Sequence, residues 1–184
     1  MYAVVMAGLL FLAFAFFAVA QASTVRNGGQ SAADSAALGA AQDDRDELFD
    51  GFMDALDDGD AWKEWLAGDG PLEGDGCGEA DHFAGQNRSD VLSCDAITRN
   101  GDDGYTVEIE TRFDTGDTIV PGTDNKKAKA EATAVIQPLC EPDEDEGGGD
   151  EIHITCEDED FTIDPDDEDI DLKPADLFDV VLAD

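Results

Sequence analysis

The segment that decides how this chain is organised reads QSAADSAALGAAQ and covers residues 30–42. Six of its thirteen residues are alanine, the residue with the highest helix propensity. Ala33, Ala36, Ala37 and Ala40 recur at three- and four-residue spacing, so they share one face of the predicted helix. Side chains this small let a second helix approach closely. We therefore predict a helix whose alanine face is a packing surface.

An apolar segment precedes this helix and predicts a membrane anchor. Residues 1–22, MYAVVMAGLLFLAFAFFAVAQA, contain no charged side chain, and as a helix they would span roughly 33 Å, enough for a bilayer core. The alternative is a cleaved signal peptide, because AVA or AQA before Ser23 resembles a cleavage site. A retained anchor is favoured, since no Lys or Arg precedes the long apolar run. Gly28 and Gly29 predict a hinge just beyond it.

The rest of the chain predicts helices followed by strands. Helical patterns cover residues 48–56, 62–66 and 81–86, and residues 105–113, YTVEIETRF, alternate as a half-buried strand does. Residues 127–139 alternate with alanine inward, so we expect a helix to pack closely over that strand. Short strands at Ile152 and Ile154, then at Phe161 and Ile163, and a final element over 177–182 complete the pattern.

These patterns define the predicted fold class and domain organisation. The fold class is α+β, with one N-terminal transmembrane helix, further helices and then a small antiparallel sheet. The predicted organisation is an anchor over 1–22, an alanine-rich juxtamembrane helix over 23–42 and an acidic extracellular α+β domain over 43–184.

The charge balance restricts the partners. The chain has 46 acidic and 10 basic residues and a formal net charge of -36. Such a surface repels nucleic acid and anionic lipid, so a basic patch that binds either is not expected. Cationic partners, or solubility at high salt, fit this composition better.

Four cysteines predict two disulfides in an oxidising compartment. They are Cys77, Cys94, Cys140 and Cys156, and no CxxC pair or zinc-ligand spacing is present. Three pairings are open, with free buried thiols as the alternative. We favour Cys77 with Cys94 and Cys140 with Cys156, because each pair brackets one short segment.

No pattern of catalytic residues is found, so we expect neither an enzyme nor a cofactor. The motifs GxSxG, HExxH and the P-loop are absent from the sequence. Residues 156–171, CEDEDFTIDPDDEDID, are rich in oxygen ligands but lack the calcium-loop spacing, so no specific metal site is predicted. Trp62 and Trp65 are interpreted as core residues, with a glycan-binding pair as the alternative. Residues 141–151 are predicted to form an exposed, mobile loop.

An apolar anchor followed by GGQSAADSAALGAAQ resembles the N-terminal signature of TadE/TadG-like proteins of the tight-adherence (Flp) pilus system. The residues that match it are Gln30, Ala32, Ala33, Asp34, Ala36, Ala37 and Leu38, while Gly39 stands where the family usually has alanine. The later segments IVPGT, ATAV and PADLF resemble actinobacterial TadG-related proteins. The chain departs from processed type IV pilins at its fifth residue, which is Val5 and not glutamate.

This resemblance implies a minor pilin-like or pilus-assembly protein, single-pass in the cell membrane with its C-terminal domain outside. It implies pilin or assembly-platform subunits and the membrane as partners, and not nucleic acid. A homo-oligomer is left open. The implied packing signature is Gln30, Ala33, Asp34, Ala36, Ala37 and Leu38. A tethered acidic module for adhesion or weak calcium binding is the alternative function.

Overall fold

One long helix is the main element of the fold. The computed structural model describes residues 2–72, 74–116, 125–143, 151–157, 159–167 and 170–183. Helix α1 runs without a break over Tyr2–Asp54, or about 80 Å at 1.5 Å per residue. Its first part is exposed, whereas its buried positions begin at Val25 and continue to Phe52. The same helix therefore forms both the apolar N-terminal segment and part of the core of the domain.

A four-stranded antiparallel sheet packs on the second part of α1. Its strands are β1 (Ser89–Arg99), β2 (Asp102–Asp114), β3 (Lys127–Pro138) and β7 (Phe178–Leu182), in the order β1-β2-β3-β7. Tyr105, Val107 and Ile109 alternate inward from β2, and alanines do so from β3. Since the side chains of a strand alternate between its faces, one face of this sheet meets α1 and the other carries charged residues.

Smaller elements complete the domain. Helices α2 (Trp62–Leu66), α3 (Cys77–Gln86) and α4 (Pro174–Leu177) are short, and the first two lie against α1. A second antiparallel sheet contains β4 (Cys140–Pro142), β5 (Ile152–Cys156) and β6 (Asp160–Ile163), in that order.

The α+β prediction is confirmed, and the helix expected over the alanine-bearing strand is α1. The predicted hinge is wrong, because α1 is helical through Gly28 and Gly29. The boundaries predicted after residues 22 and 42 also fall inside this helix.

Two further features of the fold differ from the predictions made from the sequence, and a third prediction falls partly on residues that the structure does not describe. Strand β1 was not predicted, because its sequence SDVLSCDAITR does not alternate in polarity as β2 does. The strands form two sheets and not one. The loop expected over 141–151 begins with part of β4, and residues 144–150 lie outside the described residues.

Candidate functional site: an apolar span continuous with the core of the domain

The N-terminal part of α1 exposes large apolar side chains on all sides. Tyr2 is 91% exposed, Phe11 70% and Phe16 78%. This helix is long and apolar enough to cross a membrane, and no part of its most apolar window is buried within the chain. A surface of this size is unfavourable in water and suits contact with lipid or with other apolar helices.

The alanine face of α1 is covered by the chain's own sheet. The alanines at 32, 33, 36, 37, 40 and 41 are fully buried, and they belong to one core cluster with Val107 and Ile109 of β2 and Ala132 and Ala134 of β3. Small side chains on both the helix and β3 let the two backbones approach closely. The face predicted to receive another helix is thus already occupied by the domain itself.

Gly28 and Gly29 are points of close contact between α1 and the sheet. A Cβ atom at Gly28 would lie 2.8 Å from Cζ of Phe113. At Gly29 it would lie 3.1 Å from Cβ of Ala128 and 3.4 Å from Cγ2 of Thr111. The pair of glycines that suggested a hinge in the sequence instead lets the helix lie close to the ends of β2 and β3.

The polar residues of the signature hydrogen-bond to each other and to the sheet. Gln30 Nε2 donates to Asp34 Oδ1 at 2.7 Å, one helical turn further on, and to the carbonyl of Glu131 at 3.4 Å. Asp34 is half-buried, and Leu38 packs against the core from a partly buried position. From the sequence, Asp34 was expected either to cap a neighbour or to pair with a cation of a partner; in the structure it accepts from Gln30 and orients that side chain toward the backbone of β3.

A buried carboxyl group lies where α1 meets β2 and the segment before α3. Asp44 is 5% exposed and hydrogen-bonds to Tyr105, and its Oδ1 has no hydrogen-bond partner among the residues that the structure describes. Burial raises the pKa of Asp44 to about 6, the Tyr105 hydrogen bond opposes this rise, and Asp43 and Glu47 add to it. Burial also raises the pKa of Tyr105 to about 12, so its hydroxyl stays protonated, and it accepts the Gly76 N–H at 3.0 Å.

Both favoured disulfides are present. Cys77–Cys94 joins α3 to β1 across 17 residues of sequence, and Cys140–Cys156 joins β4 to β5 across 16. Disulfides of this kind persist in oxidising compartments. Together with the apolar helix they fit a domain held outside a membrane.

A cavity lined by described residues is open and acidic. It has a volume of about 690 Å³ and lies between the α1–α2 connection and the second sheet. Its wall includes Trp62 and five carboxylate side chains: Asp57, Asp60, Asp143, Glu151 and Asp166. Within the described parts of the chain, no group of three or more His, Cys, Asp or Glu side chains is placed to hold a metal ion. Trp62 is 6% exposed and stacks edge-to-face on Phe52, which agrees with its interpretation as a core residue.

Comparison of the chain with protein-family models, with curated proteins and with solved structures found no match.

Proposed function

We propose that this protein is a membrane-anchored, non-enzymatic component of a Tad/Flp-type pilus, either minor pilin-like or engaged in assembly. One observation carries the proposal. A single uninterrupted helix is apolar and uncovered over residues 2–22, and the same helix is buried in the domain from Val25 to Phe52. The resemblance of residues 28–42 to the TadE/TadG signature supports this function.

The continuity of α1 suggests how such a component works. A helix without a break transmits the position of its membrane-embedded end to the domain, because neither glycine introduces a flexible joint. The alanine face is occupied by β2 and β3. Contacts with other subunits therefore fall on the exposed side chains of the span, where lipid and apolar helices compete for the same surface.

The location of the domain follows from the same elements. Two disulfides support an oxidising compartment for the domain, and the exposed apolar helix supports a membrane location for residues 2–22. The protein is then single-pass, with its C-terminal domain outside the cell membrane.

Site-specific photo-crosslinking in cells that build the pilus tests the proposal. A photoreactive residue at Phe16, which is 78% exposed, is expected to form adducts with pilin or platform subunits. The same residue at Leu92, which is 44% exposed and lies on the domain, is the control. If Phe16 crosslinks only to lipid and the protein never cofractionates with filaments, the assembly function is excluded.

The acidic cavity supports a second candidate, a tethered binding module. Five carboxylate side chains line an open space of about 690 Å³, and the one lysine among them, Lys63, is paired with Asp60, so the remaining negative charge favours a cationic ligand. Titration of the protein with millimolar calcium, followed by its melting temperature, tests the calcium form of this candidate. An unchanged melting temperature would exclude calcium as a structural ligand.

A further inference from the structure

The tripeptide Arg-Asn-Gly occurs at two places in the chain, and the fold gives each copy a different backbone. The asparagines are Asn27 and Asn100, and both are exposed. Asn27 lies inside α1, whereas Asn100 lies between the last residue of β1 and the first residue of β2. An asparagine before glycine is open to attack by the next backbone nitrogen, because glycine has no side chain to shield that nitrogen. The two copies are thus alike in local sequence and differ in structure.

The second copy forms a two-residue hairpin turn. Arg99 pairs with Asp102 across it, and the φ angles of Asn100 and Gly101 are 58° and 108°. Positive φ at both central residues defines a type I′ turn, for which Asn-Gly is a preferred sequence. The Asn100 side chain makes no hydrogen bond within the described part of the chain, and a Cβ atom at Gly101 would meet no described atom within 4 Å beyond its chain neighbours. The amide and the next nitrogen are therefore open to solvent.

Rotation of one peptide group in this turn brings the two reacting atoms together. When the peptide between Asn100 and Gly101 turns over, the result is a type II′ turn, which closes the same hairpin. The ψ angle of Asn100 then changes from about +30° to about −120°, and φ of Gly101 changes from positive to about −80°, which glycine allows. At this ψ the Gly101 nitrogen eclipses the Cα–Cβ bond of Asn100, as closure of a five-membered ring with Cγ requires.

Helix α1 keeps Asn27 away from that geometry. The helical backbone holds ψ of Asn27 at about −42°, and the N–H of Gly28 donates to the carbonyl one turn earlier. Gly28 also packs on the ring of Phe113, since a Cβ atom at position 28 would lie 2.8 Å from its Cζ. Reaction at Asn27 therefore requires local unfolding of α1, whereas reaction at Asn100 requires only a change within an exposed turn.

We propose that Asn100 and Gly101 form a site of spontaneous covalent modification, with water as the only co-reactant. The Gly101 nitrogen loses its proton to solvent and attacks Cγ of Asn100. The N–Cγ bond forms, the Cγ–Nδ2 bond breaks, and Nδ2 takes up a proton from solvent and leaves as ammonia. Water then opens the succinimide ring at either of its carbonyl groups, which gives aspartate or isoaspartate at position 100. Nothing is oxidised or reduced, and the proposal is independent of the function proposed above.

The modification alters the end of the sheet that lies away from the apolar span. Gly28 contacts Phe113 near the end of β2, whereas the turn precedes Asp102 at its start, about 36 Å away along the strand. Aspartate at position 100 adds a negative charge beside Asp102 and Asp103. Isoaspartate also adds a methylene group to the backbone of a two-residue turn, which disturbs the pairing of Arg99 with Asp102. The site thus makes a slow, one-way change in the charge and shape of this end.

Peptide mapping of the full-length protein in detergent micelles tests the proposal. The protein is kept at neutral and at mildly alkaline pH in water enriched in the heavy isotope of oxygen. Mass spectrometry follows the loss of the amide at Asn27 and at Asn100, and uptake of heavy oxygen separates new ring opening from earlier deamidation. An isoaspartate-specific methyltransferase measures the isoaspartyl product. The free peptides of a chymotryptic digest, incubated in the same way, are the control without a fold.

In the folded protein we expect Asn100 to lose its amide at least about tenfold faster than Asn27, because only Asn27 requires unfolding of a packed helix. In the free peptides the two asparagines should react at similar rates. Asn100→Gly, which still suits a type I′ turn, should remove the reaction at this site and leave the rate at Asn27 unchanged.

Three outcomes would overturn the proposal. In the first, Asn100 of the folded protein reacts no faster than Asn27, so the turn gives no advantage. In the second, the free peptides show the same difference as the folded protein, so neighbouring residues and not the turn are its cause. In the third, aspartate forms without isoaspartate, which indicates direct hydrolysis of the amide and no ring.

Discussion

Gly39 of α1 lies directly beneath the ring of Phe83 on α3, so close that a Cβ atom at position 39 would overlap the ring. This contact lies at the position of the 30–42 segment where the resemblance described above leads one to expect alanine. Helix α3 and its Phe83 occupy the space that a methyl group at this position would need.

Gly39→Ala is expected to destabilise the domain although it raises helix propensity. The gain in propensity is about 1 kcal/mol, while displacing a packed ring costs about 1–3 kcal/mol, so we expect a net loss of up to about 2 kcal/mol. Thermal unfolding of the full chain in detergent measures it. Gly85→Ala in α3, where the new Cβ would meet no described atom within 4 Å apart from its own stretch of helix backbone, is the control and should stabilise slightly. A rise in melting temperature for both variants would contradict the contact.

Ala36→Leu tests whether the alanine face belongs to the domain or to a partner. Ala36 is fully buried in the core cluster of α1, β2 and β3. Three additional carbons there should cost about 1–3 kcal/mol of folding free energy. Ser31→Leu, at an exposed position of the same helix, should change it by less than about 0.5 kcal/mol. An Ala36→Leu protein that unfolds like the wild type but loses a partner would show that the face is an intermolecular surface.

Asp44 is expected to make the domain less stable as the pH rises from about 4 to 6. Its pKa is 3.8 unperturbed and about 6 when folded, so the folded state binds the proton more tightly. The stabilisation from protonation is complete below pH 3.8 and is lost as the pH rises through 6, an effect of about 3 kcal/mol. Asp44→Asn should flatten this part of the stability profile, measured by urea unfolding at a series of pH values. The control is Asp50→Asn, which removes a charge from an exposed position of α1 and should leave the wild-type dependence of stability on pH unchanged. If Asp44→Asn also keeps that dependence, Asp44 is not the group responsible for it.

Each disulfide is expected to stabilise the fold by a similar amount. The two bridges close loops of nearly equal length, 17 and 16 residues, and the loop-entropy model gives about 3 kcal/mol for each. The variants Cys77→Ser/Cys94→Ser and Cys140→Ser/Cys156→Ser should therefore show comparable losses in denaturant unfolding. Insensitivity of the wild type to a reductant during unfolding would contradict this expectation.

Elements in which apolar and polar residues alternate regularly were predicted from the sequence, whereas an element without such a repeat, β1, was missed. Strand β2 alternates in polarity, so it was predicted as a half-buried strand, and Tyr105, Val107 and Ile109 are indeed buried. In β1, Leu92 and Ala96 are both exposed, since the strand is at the edge of the sheet. Its pattern therefore carries no signal of burial. The hinge predicted at Gly28 and Gly29 was wrong because the sequence does not distinguish a glycine that permits flexibility from one that permits close packing.

The sequence by itself determined the apolar span, the α+β class and the overall charge, and it favoured the observed cysteine pairs, because these depend on composition and on spacing along the chain. Only the tertiary structure decided what covers the alanine face of α1. That cover depends on how β2 and β3, which follow α1 by about fifty residues or more, pack on the helix. Packing between residues distant in the sequence, and not a local pattern, therefore decides which surfaces of α1 stay exposed.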